Sequence, residues 1–174
     1  MFERPGDVTH KGVPLTVIGK KLQAGDKAPN FVAADSLFSP KMVSFAETGG
    51  KVRLISVIPS LNTGICDAQT RRFNEEIGKY GDKVAGYTVS VDLPIAQASW
   101  CEATGIENIK MLSDYREMSF GAAYGTYIKE LRIEQRSVFI VDANDTIRYA
   151  EYVPQIGQHP DYEAALTALK QVVG

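Results

Sequence analysis

The stretch Pro59-Ser60-Leu61-Asn62-Thr63-Gly64-Ile65-Cys66-Asp67-Ala68-Gln69-Thr70-Arg71-Arg72-Phe73-Asn74-Glu75 follows an apolar, β-branched run at 52–58 and passes through a Pro/Ser/Asn/Thr/Gly loop into helical spacing. The run itself has no helical period and reads as a central strand covered on both faces. Strand, turn and helix start therefore succeed one another, with Cys66 at or just inside the helix. Exposed backbone N–H groups and the helix dipole favour negative charge at that point, so Cys66 sits where a thiol becomes a thiolate. Such a thiolate implies redox or nucleophilic chemistry.

Working outward, Gln69, Phe73, Ile77 and Tyr80 recur at helical spacing and Gly81-Asp82 supplies the stop. A strand at 84–91 comes next. Asp92 reads as the N-cap of a second helix with Pro94 in its first turn, carrying Ala98 and Cys101 on one face and ending near Gly105. A short strand at 109–112, a helical turn at 117–123, strands at 137–141 and 146–153 about the turn Asp142-Ala143-Asn144-Asp145, and an amphipathic helix at 160–173 complete this half. Upstream, 7–19 reads as a β-hairpin about Lys11-Gly12 that covers an edge or end of the core, and short strands are expected at 31–34 and 42–45. The order β-α-β-α-β-β-α after an N-terminal β region predicts a thioredoxin-like α/β fold: a central mixed β-sheet flanked by helices, with an N-terminal β-hairpin, in one domain over 1–174.

At 174 residues and 44% hydrophobic, the chain can bury one sizeable core. Its 19 basic and 21 acidic residues give a net charge of -2, no electrostatic footprint for nucleic acid or an anionic membrane. Residues 1–21 have no apolar core of the signal-peptide kind, and no run reaches the roughly 18 apolar residues of a membrane span, so a soluble, cytoplasmic protein is expected. In that reducing setting two cysteines read as catalytic or redox-active rather than as a permanent staple. The two histidines, His10 and His159, stand far apart, and no C-x-x-C or H-x-x-x-H spacing supports a zinc site. No metal or other cofactor is expected.

Three chemistries fit a cysteine at a helix start. Cys66 to Arg72 contains C-x5-R, the spacing of a thiolate phosphatase, but the glycine-free Asp67-Ala68-Gln69-Thr70-Arg71 cannot form a phosphate cradle and Asp67 would repel the dianion. A dithiol oxidoreductase needs a local C-x-x-C pair, and Thr63 occupies the upstream position. Peroxide reduction uses both cysteines: a thiolate attacks the O–O bond, and the sulfenic acid formed condenses with a second thiol. Activation then comes from the helix N-terminus, a threonine hydroxyl and an arginine, with Thr63 steering the peroxide towards sulfur.

Pro59-x-x-x-Thr63-x-x-Cys66 resembles the active-site motif of the peroxiredoxins, and the longer match through Asn74-Glu75 is similar to their atypical two-cysteine, thiol peroxidase subfamily. Gly25 to Phe31, Ser90 to Pro94, Gln97 to Cys101, Arg136 to Phe139 and His159 to Leu166 extend the resemblance over nearly the whole chain. The resemblance implies that Cys66 is the peroxidatic cysteine, Cys101 the resolving cysteine of the same chain, that Thr63 and Pro59 shape the peroxide pocket, and that Arg136 stabilises the thiolate. Arg71 and Arg72 compete for the last role by proximity, and Trp100 reads as a packing residue. It also implies alkyl hydroperoxide and hydrogen peroxide as substrates, the alkyl hydroperoxides preferred, with which the apolar Leu61, Ile65 and Phe73 are consistent, thioredoxin as reductant, and a homodimer. Asn62 stands where the subfamily usually has aspartate. Cysteines on separate helices cannot reach disulfide geometry while both helices are intact, so local unwinding is expected. The alternative is a thioredoxin-fold redox sensor or chaperone without turnover.

Overall fold

Successive side chains of a strand point to opposite faces, and the run at 52–58 uses both. In the computed structural model, which describes residues 1–36 and 42–174, Ile55 and Val57 enter one apolar cluster while Leu54 and Ile58 enter another. The elements in chain order are β1 (Glu3–His10), β2 (Val13–Ile18), β3 (Val32–Ala34), β4 (Met42–Ser44), β5 (Val52–Val57), α1 (Gly64–Gly78), β6 (Val84–Ser90) and α2 (Pro94–Thr104). They continue with β7 (Ile109–Ser113), α3 (Ser119–Tyr124), β8 (Tyr127–Ile128), β9 (Ile133–Glu134), β10 (Ser137–Val141), β11 (Ile147–Tyr152) and α4 (Tyr162–Val173).

The main sheet runs β11-β10-β5-β6-β7-β3-β4. Its centre, β5-β6-β7, is parallel, and antiparallel pairs flank it on both sides. Ile55, Val57, Tyr87, Val89 and Phe139 pack with Phe120 and Tyr124 of α3 on one face. On the other, Leu54, Ile58, Val138 and Ile140 meet Phe73 and Ile77 of α1, Ala165 and Leu169 of α4, and the half-buried Trp100 and Cys101 of α2. This is the helix-flanked mixed sheet that the sequence implies. The loops leaving the C-terminal ends of the parallel strands, among them the one carrying Cys66, gather at one end, the usual site position of such sheets.

The hairpin turns through Lys11 and Gly12 with φ of 48° and 81°, the paired positive angles of a type I′ turn. It does not end with itself: β1 and β2 join β8 and β9 in a second sheet, ordered β1-β2-β8-β9, around a core of Val8, Leu15, Val17 and Ile128. Gly19 (φ 94°) and Gly125 (φ 68°) face each other where this sheet meets the end of α3; a Cβ on the first would strike the Ala122 carbonyl, and on the second the Lys20 carbonyl. Arg4 closes the joint by donating to the carbonyls of both glycines.

Asp92 is not a helix cap. α2 starts at Pro94, with Leu93 at its N-cap and no side-chain cap bond. The Asp92 carboxylate accepts instead from Ser60 Oγ (2.8 Å), Leu61 N–H (2.9 Å) and Ser90 Oγ (2.7 Å). Three donors at the strand ends outbid one cap N–H, and Pro94 leaves the helix one orphan donor fewer. The first helix also stops earlier than Gly81, with 81–83 forming a separate 3-10 turn.

Candidate active site

Thr63 is the N-cap of α1, extended at φ −115° and ψ 144°, and its side chain makes no cap bond. Its hydroxyl donates to the Ser60 carbonyl at 3.4 Å and borders the pocket described below. Cys66 is the third residue of the helix and is completely buried. The Thr70 hydroxyl donates to the Cys66 carbonyl at 2.9 Å, and Asp92 holds the preceding turn through Ser60 and Leu61.

Strand register brings the distant arginine. Ser137 pairs with Val57, so Arg136 stands one step beyond the strand pair, beside the point where the Cys66 loop leaves β5. Arg136 Nη2 donates to Cys66 Sγ at 3.4 Å and to the Ile156 carbonyl at 3.1 Å; Nη1 donates to Gln69 Oε1 at 2.9 Å. Gln69 Nε2 donates in turn to Ser56 Oγ at 2.8 Å. Arg136 is only 2% exposed, and among the described residues it forms no ion pair with a carboxylate. A buried cation needs a compensating charge, and the contacting group able to carry one is the Cys66 sulfur. Arg136 Nε makes no hydrogen bond among the described residues, leaving one buried donor uncommitted.

Above this pair lies a pocket of about 460 Å³, walled by Pro59, Thr63, Ile65, Ala68 and Ile156, with Arg136 in its lining. His10 and His159 also border it. Pro59, Thr63 and Arg136 thus share one pocket with Cys66 beneath. Arg71 and Arg72 do not: Arg71 pairs with Asp67 at 2.8 Å and Arg72 with Glu163 at 2.8 Å, both on the surface. Asn62 is exposed, and the carboxylate anchoring its turn is Asp92.

Cys101 lies elsewhere. It is half-buried on α2 and borders a separate cavity of about 320 Å³ with Pro94, Gln97, Ile106 and Met111. Both cysteines are free, and burial pushes the Cys101 thiol up. Trp100 packs on the apolar cluster that holds both cysteines, with the Arg71 guanidinium 5.8 Å from its ring centre.

Ile156, His10 and Asp92 carry no catalytic signal in the sequence. Gln69 had a detectable one: an amide on the inward face of α1, one turn from Cys66, must be satisfied by something buried. The others depend on contacts between remote segments. Among the described residues no cluster of three or more His, Cys, Asp or Glu side chains forms a metal site, and no helix is long and apolar enough to cross a membrane.

The family model described as Redoxin matches residues 23–166. A thiol peroxidase of Bacillus subtilis (strain 168) is 53% identical over 96% of this chain and 98% of its own length. One from Halalkalibacterium halodurans is 53% identical over 94% of this chain and 96% of its own. Among solved structures, a peroxiredoxin-like protein from Aquifex aeolicus superposes with a TM-score of 0.84 at 33% identity, covering 97% of this chain and 99% of that one.

Proposed function

The chain belongs to the redoxin family, among its thiol peroxidases, and we propose that its thiol-dependent peroxide reduction runs through Cys66 as peroxidatic and Cys101 as resolving cysteine. The observation that carries this reading is the buried contact of 3.4 Å between Arg136 Nη2 and Cys66 Sγ beneath the pocket. The Cys66 thiolate attacks the terminal oxygen of ROOH; the S–O bond forms, the O–O bond breaks, and the departing RO⁻ takes up a proton to leave as ROH. Cys66 becomes a sulfenic acid. Thr63 orients the peroxide, Pro59 shields the sulfur without presenting an N–H, and Arg136 holds the negative charge as it moves from sulfur to oxygen.

Cys101 then attacks the Cys66 sulfur, the S–S bond forms and water departs with the proton of the thiol. Since the Cα atoms of a disulfide lie about 4.4–6.8 Å apart, α2 around Cys101, the first turn of α1, or both unwind first. A thioredoxin dithiol reduces the disulfide and is itself oxidised. A homodimer acting in the cytoplasm, and alkyl hydroperoxides as well as hydrogen peroxide as substrates, belong to the same reading.

The test is peroxide consumption coupled to thioredoxin, its reductase and NADPH. Steady turnover that Cys66→Ser abolishes supports the enzyme; one stoichiometric oxidation followed by no turnover supports a redox sensor instead. For Cys101→Ser, sulfenic acid is expected to accumulate on Cys66 while thioredoxin-linked turnover collapses.

A further inference from the structure

Asp92 stands between the two cysteine-bearing segments, and the chemistry above makes no use of it. On one side its carboxylate accepts from the Ser60 hydroxyl at 2.8 Å and from the Leu61 N–H at 2.9 Å. Ser60 in turn accepts the Thr63 hydroxyl on its carbonyl and the Asn62 N–H on its own hydroxyl, each at 3.4 Å. Leu61 is buried in the apolar cluster that holds Cys66. The turn from Pro59 to Thr63, which borders the pocket at both of its ends, is therefore hung on this one carboxylate.

On the other side Asp92 reaches α2 through a serine. Ser90 Oγ donates to the Asp92 carboxylate at 2.7 Å and accepts from Gln97 Nε2 at 3.0 Å. Gln97 is buried one turn before Cys101, and its Nε2 also donates to the Leu112 carbonyl at 3.0 Å. The Asp92 backbone is pinned as well, its carbonyl accepting from Ser113 Oγ at 2.6 Å. The loop before α1, the ends of β6 and β7 and, through Ser90, the base of α2 thus meet at one residue.

Little else holds α2. Of its 11 residues Pro94 and Gln97 are buried, and no side chain caps its start. Trp100 and Cys101, on the same face as Gln97, are half-buried. Few buried contacts mark an element that opens at low cost, and the Gln97 amide is the buried polar group that opening must release. Disulfide geometry demands opening of α2, of the first turn of α1, or of both, and a carboxylate shared between the two segments favours both.

We propose that Asp92 is a positioning residue that latches the Cys66 loop to the base of α2, so that the closed arrangement that meets peroxide and the open one that forms the disulfide exchange together. The two-state element is the pair of segments joined through Ser90. While the latch holds, Thr63 and Pro59 keep their places at the pocket and Cys101 stays apart from Cys66. A Cys66 sulfenic acid then has two fates. Condensation with the Cys101 thiol forms the S–S bond and releases water; a second ROOH instead breaks its O–O bond, places one oxygen on sulfur to give sulfinic acid, and leaves as ROH. Latch strength sets the balance between them. This inference rests on the peroxidase reading.

The test is a pulse of one equivalent of hydrogen peroxide, with disulfide closure followed by rapid quenching and thiol alkylation. Wild type is compared with Asp92→Asn, Gln97→Met, the double variant, and Ser60→Ala as a milder cut on the Cys66 side. Asp92→Asn keeps the shape and removes the charge, and closure should accelerate about tenfold, the low end of what a hydrogen bond to a charged group is worth. Gln97→Met cuts the same chain at its other end and should accelerate closure too, with the double variant no faster than the faster single one, as expected of coupled sites. The peroxide dose that converts half of Cys66 to sulfinic acid, read by intact mass, should rise with the closure rate. A merely structural Asp92 would lower the urea midpoint without moving either readout. Closure at the wild-type rate in both Asp92→Asn and Ser60→Ala, or effects that multiply in the double variant, would overturn the proposal; if Asp92→Asn does not fold, Ser60→Ala and Gln97→Met decide it. Wild type that forms no Cys66–Cys101 disulfide after the pulse would overturn the peroxidase reading itself.

Discussion

Arg136 makes three hydrogen bonds in different directions, to Cys66 Sγ, Gln69 Oε1 and the Ile156 carbonyl. A planar guanidinium can do this, and a lysine ammonium on a flexible stem cannot hold all three from one position. Arg136→Lys is therefore expected to lower the second-order rate of Cys66 oxidation by about 10²–10³, the range for losing one aimed donor in a dry site. Rapid-mixing detection of the sulfenic acid checks this, and a rate within a few-fold of wild type would remove Arg136 from the chemistry. Cys101 gives a pH expectation. Burial pushes its thiol up, so only a small thiolate fraction exists at neutral pH, and that fraction grows about tenfold per unit until the raised value is passed. Disulfide closure after a single pulse of peroxide should accelerate accordingly from neutral to mildly alkaline pH. A flat profile would show that helix opening limits the step instead. At this scale the sequence places Thr63 beside Cys66, because the two are neighbours on one turn. It does not yield Gln69 as the arginine's acceptor, since Ser56, Gln69 and Arg136 meet only once β5, α1 and β10 are packed.

Elements carry two further consequences. The N-terminus of α3 rests on Asp114, whose carboxylate accepts from Phe120 N–H at 3.1 Å and Gly121 N–H at 2.8 Å. Beside it Glu134 is completely buried, accepts from the Thr126 hydroxyl, and is pushed well above the usual carboxylate range by desolvation and then by the Asp114 charge. A carboxyl raised on folding contributes stability that is full below its unfolded value and is lost as pH rises through the folded value. Wild-type protein should therefore lose stability between weakly acidic and alkaline pH, and Glu134→Gln should lose less, as read by urea midpoints at both ends. An unchanged loss would clear this pair of responsibility. On the other face, Trp100 is the sole tryptophan, next to Cys101 and under Arg71. Unwinding of α2 to close the disulfide should shift its emission when peroxide is added, and Cys101→Ser should abolish the shift. Most elements are legible in the sequence because each repeats its period over several residues, as the two-faced apolar run of β5 and the stripe of α4 do. β8 and β9 span two residues each, too few to show any period, and Asp92 mimics a cap because a carboxylate before Pro94 looks the same whether it serves the helix or the neighbouring loop.

The whole molecule depends on a joint between its two sheets. The hairpin core of Val8, Leu15, Val17 and Ile128 is nearly solvent-free. At about 1.5–3 kcal/mol per buried side chain, an upper estimate because unfolded chains already hide some surface, these four contribute an amount comparable to the roughly 5–15 kcal/mol net stability of a whole domain. The hairpin is also tied to the rest of the fold, through Arg4 to Gly125 at the end of α3 and through Thr9 to Pro154 and Ile156 in the loop after β11. Its loss would therefore release the pocket wall formed by Ile156 along with its own core. Such coupling makes the chain melt as one unit, so Trp100 emission, which reports on the main sheet side, and far-UV circular dichroism should give coincident transitions. Val17→Ala, a cavity at the centre of the hairpin core, should lower both midpoints together by the equivalent of about 2 kcal/mol. If circular dichroism shifted while Trp100 kept its wild-type midpoint, the hairpin sheet would be a separate unit, and a pocket that takes His10 from the hairpin and Pro59 and Arg136 from the ends of main-sheet strands would lose a wall before the rest of the fold gave way.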